Sequence, residues 1–302
     1  MHNSSVHAAL EPYLKQGVEI EWLDGTIPSF KIQHWSKGML ANAKFFGDLE
    51  FGPKYFKFEN ASKSFGDRWR AAIGCWDDKI VVDIGCGPGN LLAAVGGKPS
   101  TILGIDIALG ALKHAAEIGY LPLLADAQNL PLKDGFADIV TLNATLHHCD
   151  NFTRVLTEAA RLLRDGGILI TDEDPVSTNV EYQGIAFLVH KARQVFPMYW
   201  LPWRRVKYRS AKEISLRLET EIHNQFLGDG VPEELFADTL TPLGFSVELY
   251  PHYYNVGDEL FRGEIGRLGF KDNLIRVLTQ SKNFKPPLSI ACIAKKTLSK
   301  GP

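Results

Sequence analysis

The sequence is poor in the features that mark several large classes of protein. Its four cysteines show no Cys-x-x-Cys spacing, so neither a disulfide framework nor a zinc-ribbon pattern is predicted. Its formal net charge of −2 provides no overall basic field for binding nucleic acid. No apolar run reaches the ~18 residues that cross a membrane, and residues 1–16 lack the apolar segment of a secretory signal. We therefore expect a globular, cytoplasmic protein without a nucleic-acid partner.

What the sequence does contain is a glycine-rich stretch at residues 79–90, Lys-Ile-Val-Val-Asp-Ile-Gly-Cys-Gly-Pro-Gly-Asn. The apolar residues before the first glycine predict a short buried strand, and the residues after Gly89 predict a helix. Glycines between a strand and a helix permit a sharp turn and let a ligand approach backbone N–H groups closely. The stretch therefore predicts the entrance of a nucleotide-type site.

Strand and helix patterns alternate from residue 79 to residue 174. Such alternation is typical of a parallel sheet that is covered by helices on both faces. The predicted strands are 79–84, 102–106, 121–124, 138–142 and 167–171, and two later strands lie near 245–250 and 288–295. The predicted helices are 89–96, 109–117 and 151–164, with Asn151 as a cap, and a later helical stretch at about 257–281.

The predicted core comprises residues 79–174 and 232–298. We predict two additions to it. Residues 1–78 are rich in aromatics and show helical spacing at Phe65, Trp69 and Ile73, so we predict a helical N-terminal extension or lid. Residues 175–231 interrupt the alternation and are predicted to be an insertion. Its segment 196–209 combines aromatics, prolines and cations, which fits either a lid or dimer contact, or an anchor on a membrane surface or an anionic substrate. The prolines favour the lid or dimer contact, because they prevent one long amphipathic helix.

The spacing of the glycines argues against a dinucleotide as the ligand. A dinucleotide fingerprint is Gly-x-Gly-x-x-Gly, whereas this chain has Gly85, Gly87 and Gly89. The carboxylate of Asp83 stands two residues before the first glycine. Since a carboxylate repels a pyrophosphate and attracts an ammonium group, the pattern favours a ligand with an amino-acid part.

Four blocks between Val81 and Thr171 resemble, in their order and spacing, the Rossmann-like S-adenosylmethionine-dependent methyltransferases of small molecules, in particular the quinone-biosynthesis C-methyltransferases. The blocks are the glycine turn and residues 103–107, 125–131 and 136–148. The resemblance implies an α/β fold with a sheet of seven strands, mostly parallel and with the last strand antiparallel, between helices on both faces. The N-terminal aromatics and the insertion 175–231 fall outside this cofactor core, and we expect them to cover the acceptor site.

The same resemblance implies S-adenosylmethionine as the cofactor. The glycine turn would hold its methionine part, Asp106 would bind both ribose hydroxyls, and Ile107 would lie against the adenine. The cofactor-binding residues implied in this way are Asp83, Gly85, Cys86, Gly87, Gly89, Asn90, Asp106, Ile107, Asp126, Ala127 and Asn143.

Methyl transfer to a hydroxyl or an acidic carbon also needs a base, whereas an amine or a thiolate needs none. Strand-end residues that could serve are, in our order of preference, His148, His147, His252 and Glu173. Each of them could instead be a hydrogen-bonded polar residue of the cleft wall. The run from His147 to Asp150 suggests a metal, but adjacent residues on one turn seldom converge on an ion, so no metal site is predicted.

The sequence thus predicts a methyltransferase that acts on a small, partly hydrophobic or aromatic molecule. The segment 143–146 has no Asn-Pro-Pro-Tyr-type block of the methyltransferases that modify amide and amino nitrogens of nucleic acids or proteins. Two alternatives stay open: an NAD(P)-dependent oxidoreductase, and a protein that binds the cofactor without catalysis. The acceptor atom and the oligomeric state do not follow from the sequence.

Overall fold

The computed structural model describes residues 3–48, 62–177, 219–220, 230–267 and 288–298. Within these ranges, nine strands form one sheet. The strands are β1 (Glu21–Leu23), β2 (Ile27–Ser29), β3 (Ile80–Ile84), β4 (Thr101–Asp106), β5 (Leu121–Leu124), β6 (Ala137–Asn143), β7 (Leu163–Pro175), β8 (Phe245–His252) and β9 (Ser289–Lys296).

The strand order of the sheet is β1-β2-β5-β4-β3-β6-β7-β9-β8. Strands β3, β4, β5, β6 and β7 are parallel, and β9 runs antiparallel to both of its neighbours, β7 and β8. The predicted α/β sheet with an antiparallel last strand is therefore confirmed. Because the parallel strands all end at one edge, the residues that follow them come together there.

The sheet has two strands more than the seven predicted. The N-terminal region, predicted to be helical, contains the antiparallel hairpin β1-β2, which extends the sheet beyond β5. Its turn places Asp24 and Gly25 at φ values of 48° and 64°, and the Thr26 N–H donates to the Leu23 carbonyl at 3.0 Å. Asp-Gly is a favoured pair for such a turn because both central positions need positive φ. Three-residue strands were too short to show an alternating pattern.

Helices pack on both faces of the sheet, as the alternation predicted. Neighbouring residues of β3 divide between the two apolar layers, with Val81 in one and Val82 in the other. Asn151 caps its helix as predicted, since its side chain accepts from the Arg154 N–H at 2.9 Å. The described helices are α1 (Asn3–Leu10), α2 (Lys37–Phe46), α3 (Lys63–Ile73), α4 (Asn90–Val95), α5 (Leu109–Glu117), α6 (Phe152–Leu162) and α7 (Glu234–Leu240).

The structure differs from the helix predicted at about 257–281 in the part of it that is described, residues 257–267. Only Asp258–Arg262 forms a short 3-10 helix, and Gly263 and Gly266, with φ values of 95° and 82°, end it. Residues 268–287 lie outside the described residues, as does the segment 196–209.

The ends of the predicted insertion lie side by side. Val176 and Val231 form a parallel bridge, and the Ser177 N–H donates to the Val231 carbonyl at 2.8 Å. The chain therefore leaves β7 and returns at one point of the sheet edge. The domain boundaries at 1–78, 175–231 and 232–298 stay predictions.

None of the helices in the described ranges has the length and apolar character needed to cross a membrane.

A buried ionic cluster fastens α3 to the sheet. Arg68, 1% exposed, donates from Nε to Oδ2 of Asp172 at 2.6 Å, from Nη1 to the Val256 carbonyl at 2.7 Å, and from Nη2 to the Glu173 carboxylate. On the other side of Asp172, Nε2 of His252 lies 2.8 Å from Oδ1. Burial alone would raise the pKa of Asp172, but Arg68 and His252 outweigh it and hold the pKa below its usual range.

Replacing Arg68 by Met should destabilise the protein strongly, because it leaves the buried Asp172 charge without its main partner. We expect a loss of about 3–5 kcal/mol in the free energy of unfolding, measured by urea denaturation. The matched control is Arg70→Met on the same helix, whose side chain is 46% exposed and pairs with Asp67. Its cost should stay below about 1 kcal/mol. Equal costs for the two variants would contradict a stabilising role of the cluster.

Candidate functional site

A cleft lies at the carboxyl ends of β3, β4, β5 and β6 and holds about 960 Å³ of empty space, counted to its opening into solvent. Its wall contains the predicted cofactor residues with the exception of Gly89, and one of the predicted catalytic residues, His148. The cofactor residues in the wall are Asp83, Gly85, Cys86, Gly87, Asn90, Asp106, Ile107, Asp126, Ala127 and Asn143. The parallel topology brings these residues together from distant parts of the chain.

The glycine turn forms the floor of the cleft and needs its glycines. Gly85 and Gly87 have φ values of 70° and 52°, which side chains with a Cβ rarely adopt. A Cβ at Gly85 would also overlap the side chain of Thr145. The turn is fixed to β4, since the N–H groups of Gly85 and Cys86 donate to the Ile105 carbonyl at 2.7 and 3.1 Å.

Asp83 is a buried carboxylate beneath this turn, 1% exposed. Its Oδ2 accepts from the Tyr120 hydroxyl at 2.8 Å and its Oδ1 from the Thr141 hydroxyl at 2.9 Å. Burial raises the pKa of Asp83 to about 7, although both hydrogen bonds act in the opposite direction. A cationic group placed in the cleft would favour the ionised form of this carboxylate.

Asp106 ends β4 beside the glycine turn. Its Oδ2 accepts from the Gly87 N–H at 2.9 Å and its Oδ1 from the Ala108 N–H at 2.8 Å. Burial raises the pKa of Asp106, and these backbone N–H groups offset part of the rise. Each carboxylate oxygen can accept a second hydrogen bond, so both oxygens can also bind hydroxyls of a ligand.

Asn90 begins α4 in the wall of the cleft. It is 5% exposed, and its Oδ1 has no hydrogen-bond donor among the described residues. A buried amide oxygen without a donor costs free energy. A hydrogen-bond donor on a ligand in the cleft would satisfy this oxygen.

Asp126 and Asn143 each combine a structural hydrogen bond with a place in the wall. Asp126 Oδ1 accepts from the Gln128 N–H at 2.9 Å, which shapes the turn after β5. Asn143 Oδ1 accepts from Trp69 Nε1 at 3.2 Å, which ties α3 to the end of β6.

The two adjacent histidines after β6 have different surroundings. His148 lies in the cleft wall, and its Nδ1 donates to the Thr220 carbonyl at 2.7 Å. A neutral imidazole that donates from Nδ1 carries its lone pair on Nε2. His147 is buried, with Nδ1 2.7 Å from Oδ1 of Asp174, which also accepts the His147 backbone N–H at 3.0 Å. The two imidazole rings are in contact and tilted by 41° relative to each other, with centroids 4.0 Å apart.

The structure places His252 and Glu173 outside the cleft wall. His252 is fully buried, its Nδ1 donates to the Tyr253 carbonyl at 3.1 Å, and its Nε2 faces Asp172. Glu173 is bound by Arg68. Both side chains belong to the ionic cluster that fastens α3.

Thiol chemistry is not favoured at the two cysteines of the wall. Burial raises the pKa of the Cys86 and Cys149 thiols, so the reactive thiolate form is disfavoured. In the part of the chain that the structure describes, no three His, Cys, Asp or Glu side chains are grouped so that they could hold a metal ion.

The wall also includes residues of α2, a helix in the predicted N-terminal extension, none of which the sequence analysis names as a site residue. Met39, Asn42 and Phe46 of this helix line the cleft, and the Phe46 ring packs edge-on against His148 at 5.5 Å between centroids. The one available signal was Asn42, a polar residue between apolar neighbours in the segment 39–46. No local motif connects that residue with a site whose other members begin forty residues later.

Comparison with known proteins identifies the core. Residues 82–171 match the family described as "Methyltransferase domain". A malonyl-[acyl-carrier protein] O-methyltransferase from Pectobacterium atrosepticum is 29% identical over 117 residues, which make up 38% of this chain and 46% of that protein. A tRNA (carboxymethyluridine(34)-5-O)-methyltransferase from Arabidopsis thaliana is 36% identical over 97 residues, 30% of this chain and 23% of that protein.

A solved structure from Thermotoga maritima, a "SAM-dependent methyltransferase, possible histamine N-methyltransferase", aligns with 86% of this chain and 100% of its own, at 17% identity and a TM-score of 0.47. The match to the two curated relatives spans less than half of their length. The methyltransferase resemblance predicted from the sequence is confirmed over residues 82–171. The cofactor that this resemblance implies is S-adenosylmethionine.

The residues of the cleft fit that cofactor. Its ammonium group, its ribose hydroxyls and its exocyclic amine are hydrogen-bond donors, and the wall offers acceptors in Asp83, Asp106 and Asn90. The oxygen of Asn90, which has no donor among the described residues, is of the type that such a group would bind. At the floor, Gly85 lets the turn pack against Thr145, and a Cβ at Gly87 would meet no protein atom within 4 Å, so the backbone there is open to a ligand.

Replacing Asp83 by Asn should stabilise the cofactor-free protein as the pH rises. The folded wild type holds the Asp83 proton up to about pH 7, whereas the unfolded chain loses it near 3.8, so wild-type stability falls as pH rises through this window. The variant has no such group. The unfolding free energy of the variant minus that of the wild type should therefore increase by about 2–3 kcal/mol between pH 5 and pH 8, measured by urea denaturation. A difference that does not change with pH would contradict the raised pKa.

Proposed function

We propose that the methyltransferase domain transfers a methyl group from S-adenosylmethionine to a small molecule with a hydrophobic or aromatic part. The observation that carries the proposal is the pair of carboxylates at the ends of two adjacent parallel strands. Asp83 is the next-to-last residue of β3, beneath the glycine turn, and Asp106 ends β4 beside it, and both line one cleft. Asp83 suits an ammonium group and Asp106 suits two hydroxyls. These are the groups that the methionine part and the ribose of S-adenosylmethionine carry.

The predicted cofactor residues have separate roles in this proposal. Asp83 and Asn90 bind the methionine end, with the glycine turn close to it. Asp106 accepts hydrogen bonds from the ribose hydroxyls, and Ile107 packs on the adenine. Asp126 and Ala127 lie at the adenine edge, and Asn143 lies where β6 reaches the transferred group.

When bound, the cofactor supplies a methyl group on a sulfonium, which an acceptor nucleophile takes by in-line displacement. The chain positions the acceptor and, for a hydroxyl or an acidic carbon, removes its proton. His148 is the base that the geometry favours, because it lines the cleft and its lone pair is on Nε2 when Nδ1 donates to Thr220. His147, held by Asp174, is the second candidate. His252 and Glu173 stay predictions.

Three features support a small, partly apolar acceptor. Phe46 contributes apolar surface to the wall beside His148, and Met39 contributes apolar surface elsewhere in the same wall. The segment after β6 lacks the Asn-Pro-Pro-Tyr-type block. The bridge between Val176 and Val231 brings the ends of the proposed cap, 175–231, to the sheet edge where the cleft lies. The family match favours this function over the NAD(P)-dependent oxidoreductase.

Calorimetric titration with S-adenosylhomocysteine tests the proposal. The wild type should bind, and Asp106→Ala should weaken binding by about 1–3 kcal/mol, since charged acceptors of the ribose hydroxyls are lost. The matched control is Asp138→Ala at the opposite end of β6, where the carboxylate accepts from the Ile80 N–H at 2.7 Å. It should leave the affinity unchanged.

The absence of any heat or thermal shift at millimolar S-adenosylhomocysteine would refute the function. Unchanged affinity in Asp106→Ala would refute the ribose role alone. Binding without methyl transfer to any of a broad set of acceptors would support the alternative of a non-catalytic binding protein.

The affinity for S-adenosylhomocysteine should rise with pH until about pH 7 and then level off. The cause is Asp83, whose pKa of about 7 means that it binds a cation only after losing its proton. The dissociation constant should fall by up to about tenfold per pH unit below that value. Asp83→Asn should bind more weakly and show no such slope. A slope that persists in this variant would assign the titration to another group.

A further inference from the structure

The cleft wall contains a second buried amide oxygen that has no hydrogen-bond donor among the described residues. It is Oδ1 of Asn42 on α2, and the side chain is 5% exposed. Burying such an acceptor without a partner costs free energy. Asn42 is not part of the glycine motif or of any strand end, so nothing considered so far explains this cost.

The orientation of the Asn42 amide follows from its neighbours. Nδ2 donates to the Gly38 carbonyl at 2.9 Å and to the Thr220 carbonyl at 3.4 Å. Both partners are carbonyl oxygens, which accept and cannot donate, so the NH₂ group must face them. Oδ1 is thereby fixed as an acceptor, and only a ligand with an N–H or O–H group can satisfy it.

The position of α2 indicates which ligand this is. Met39 lies one turn before Asn42 and borders the same wall as Asp126 and Gln128. At the other end, Gly47 packs so closely on Gly110, in the first turn of α5, that a Cβ at Gly110 would overlap the Gly47 carbonyl. Helix α5 follows directly on Asp106 and Ile107. Helix α2 therefore crosses the cofactor part of the cleft. Asn42 lies on this helix between Met39 and Gly47, the two residues that make these contacts.

The neighbours of Asn42 further place it at the methionine end. The Thr220 carbonyl that accepts from Asn42 also accepts from Nδ1 of His148. His148 follows β6, which adjoins β3 and its glycine turn. An ammonium group has three N–H donors, and Asn90 offers only one unpartnered oxygen at the turn.

We propose that Asn42 of the N-terminal extension binds the ammonium group of the cofactor through Oδ1. The inference rests on the proposed function, because it assumes S-adenosylmethionine in the cleft. It assigns a binding role to a residue outside the matched family region 82–171. It also means that the cofactor site is complete only when α2 is in place.

The test compares two ligands on wild type and Asn42→Leu by calorimetry. S-Adenosylhomocysteine carries the ammonium group, whereas 5′-methylthioadenosine has the same nucleoside without the amino-acid part. In Asn42→Leu, the affinity for S-adenosylhomocysteine should fall by about tenfold or more. The affinity for 5′-methylthioadenosine should change by less than about twofold. Leu40→Ala, a substitution at a 53% exposed position of the same helix, should change neither affinity.

The outcomes separate the two proposals. If Asn42→Leu weakens both ligands equally, its role is to support α2 or to contact the nucleoside, and the inference is wrong. It is also wrong if neither ligand is weakened. If wild type binds neither ligand, the proposed function itself fails. A loss of affinity for S-adenosylhomocysteine alone, the ligand that carries the ammonium group, supports the inference.

Discussion

The buried carboxyl group of Asp83 is the constraint on which the rest of the cleft depends. The hydroxyl of Tyr120 donates to it at 2.8 Å and accepts from the Leu92 N–H of α4 at 3.2 Å. The ring of Tyr120 packs so tightly on β4 that a Cβ at Gly104 would come within 2.7 Å. Thr141 brings β6 to the same carboxylate. One acidic group thus fixes two strands and a helix around the turn, at a cost in desolvation that the two hydrogen bonds offset in part and that a cation in the cleft would offset further.

The parts of the site that the sequence predicts are those that a short segment encodes. Gly85, Gly87 and Asp83 stand within five residues, and Asp106 follows at the end of the next strand. Local sequence fixes each strand and turn, and parallel topology then brings the strand ends together without further information. The central sheet and the floor of the cleft could therefore be predicted with the correct order of elements.

The parts that escaped prediction depend on contacts between distant segments. Asn42 becomes a wall residue only because Gly47 fits against Gly110, and no periodicity in either segment reports that fit. His252 is the reverse case, a predicted site residue that the structure places outside the cleft wall. Its place after a strand suggested a base, but Arg68, more than a hundred residues earlier, recruits its partner Asp172 into a structural cluster. Strand-end position identifies the edge of the sheet, and only packing decides which residues face the cleft.

The bridge between Val176 and Val231 has a consequence for how such a chain can change. Because both ends of the intervening segment are held at one point of the sheet edge, its length is nearly independent of the sheet. A change in the number of residues between the two ends therefore leaves β7 and the glycine turn in place, provided that the Thr220 carbonyl still reaches His148 and Asn42. If residues 175–231 cap the acceptor site, as proposed, acceptor selectivity could diverge in evolution while the cofactor residues stay the same.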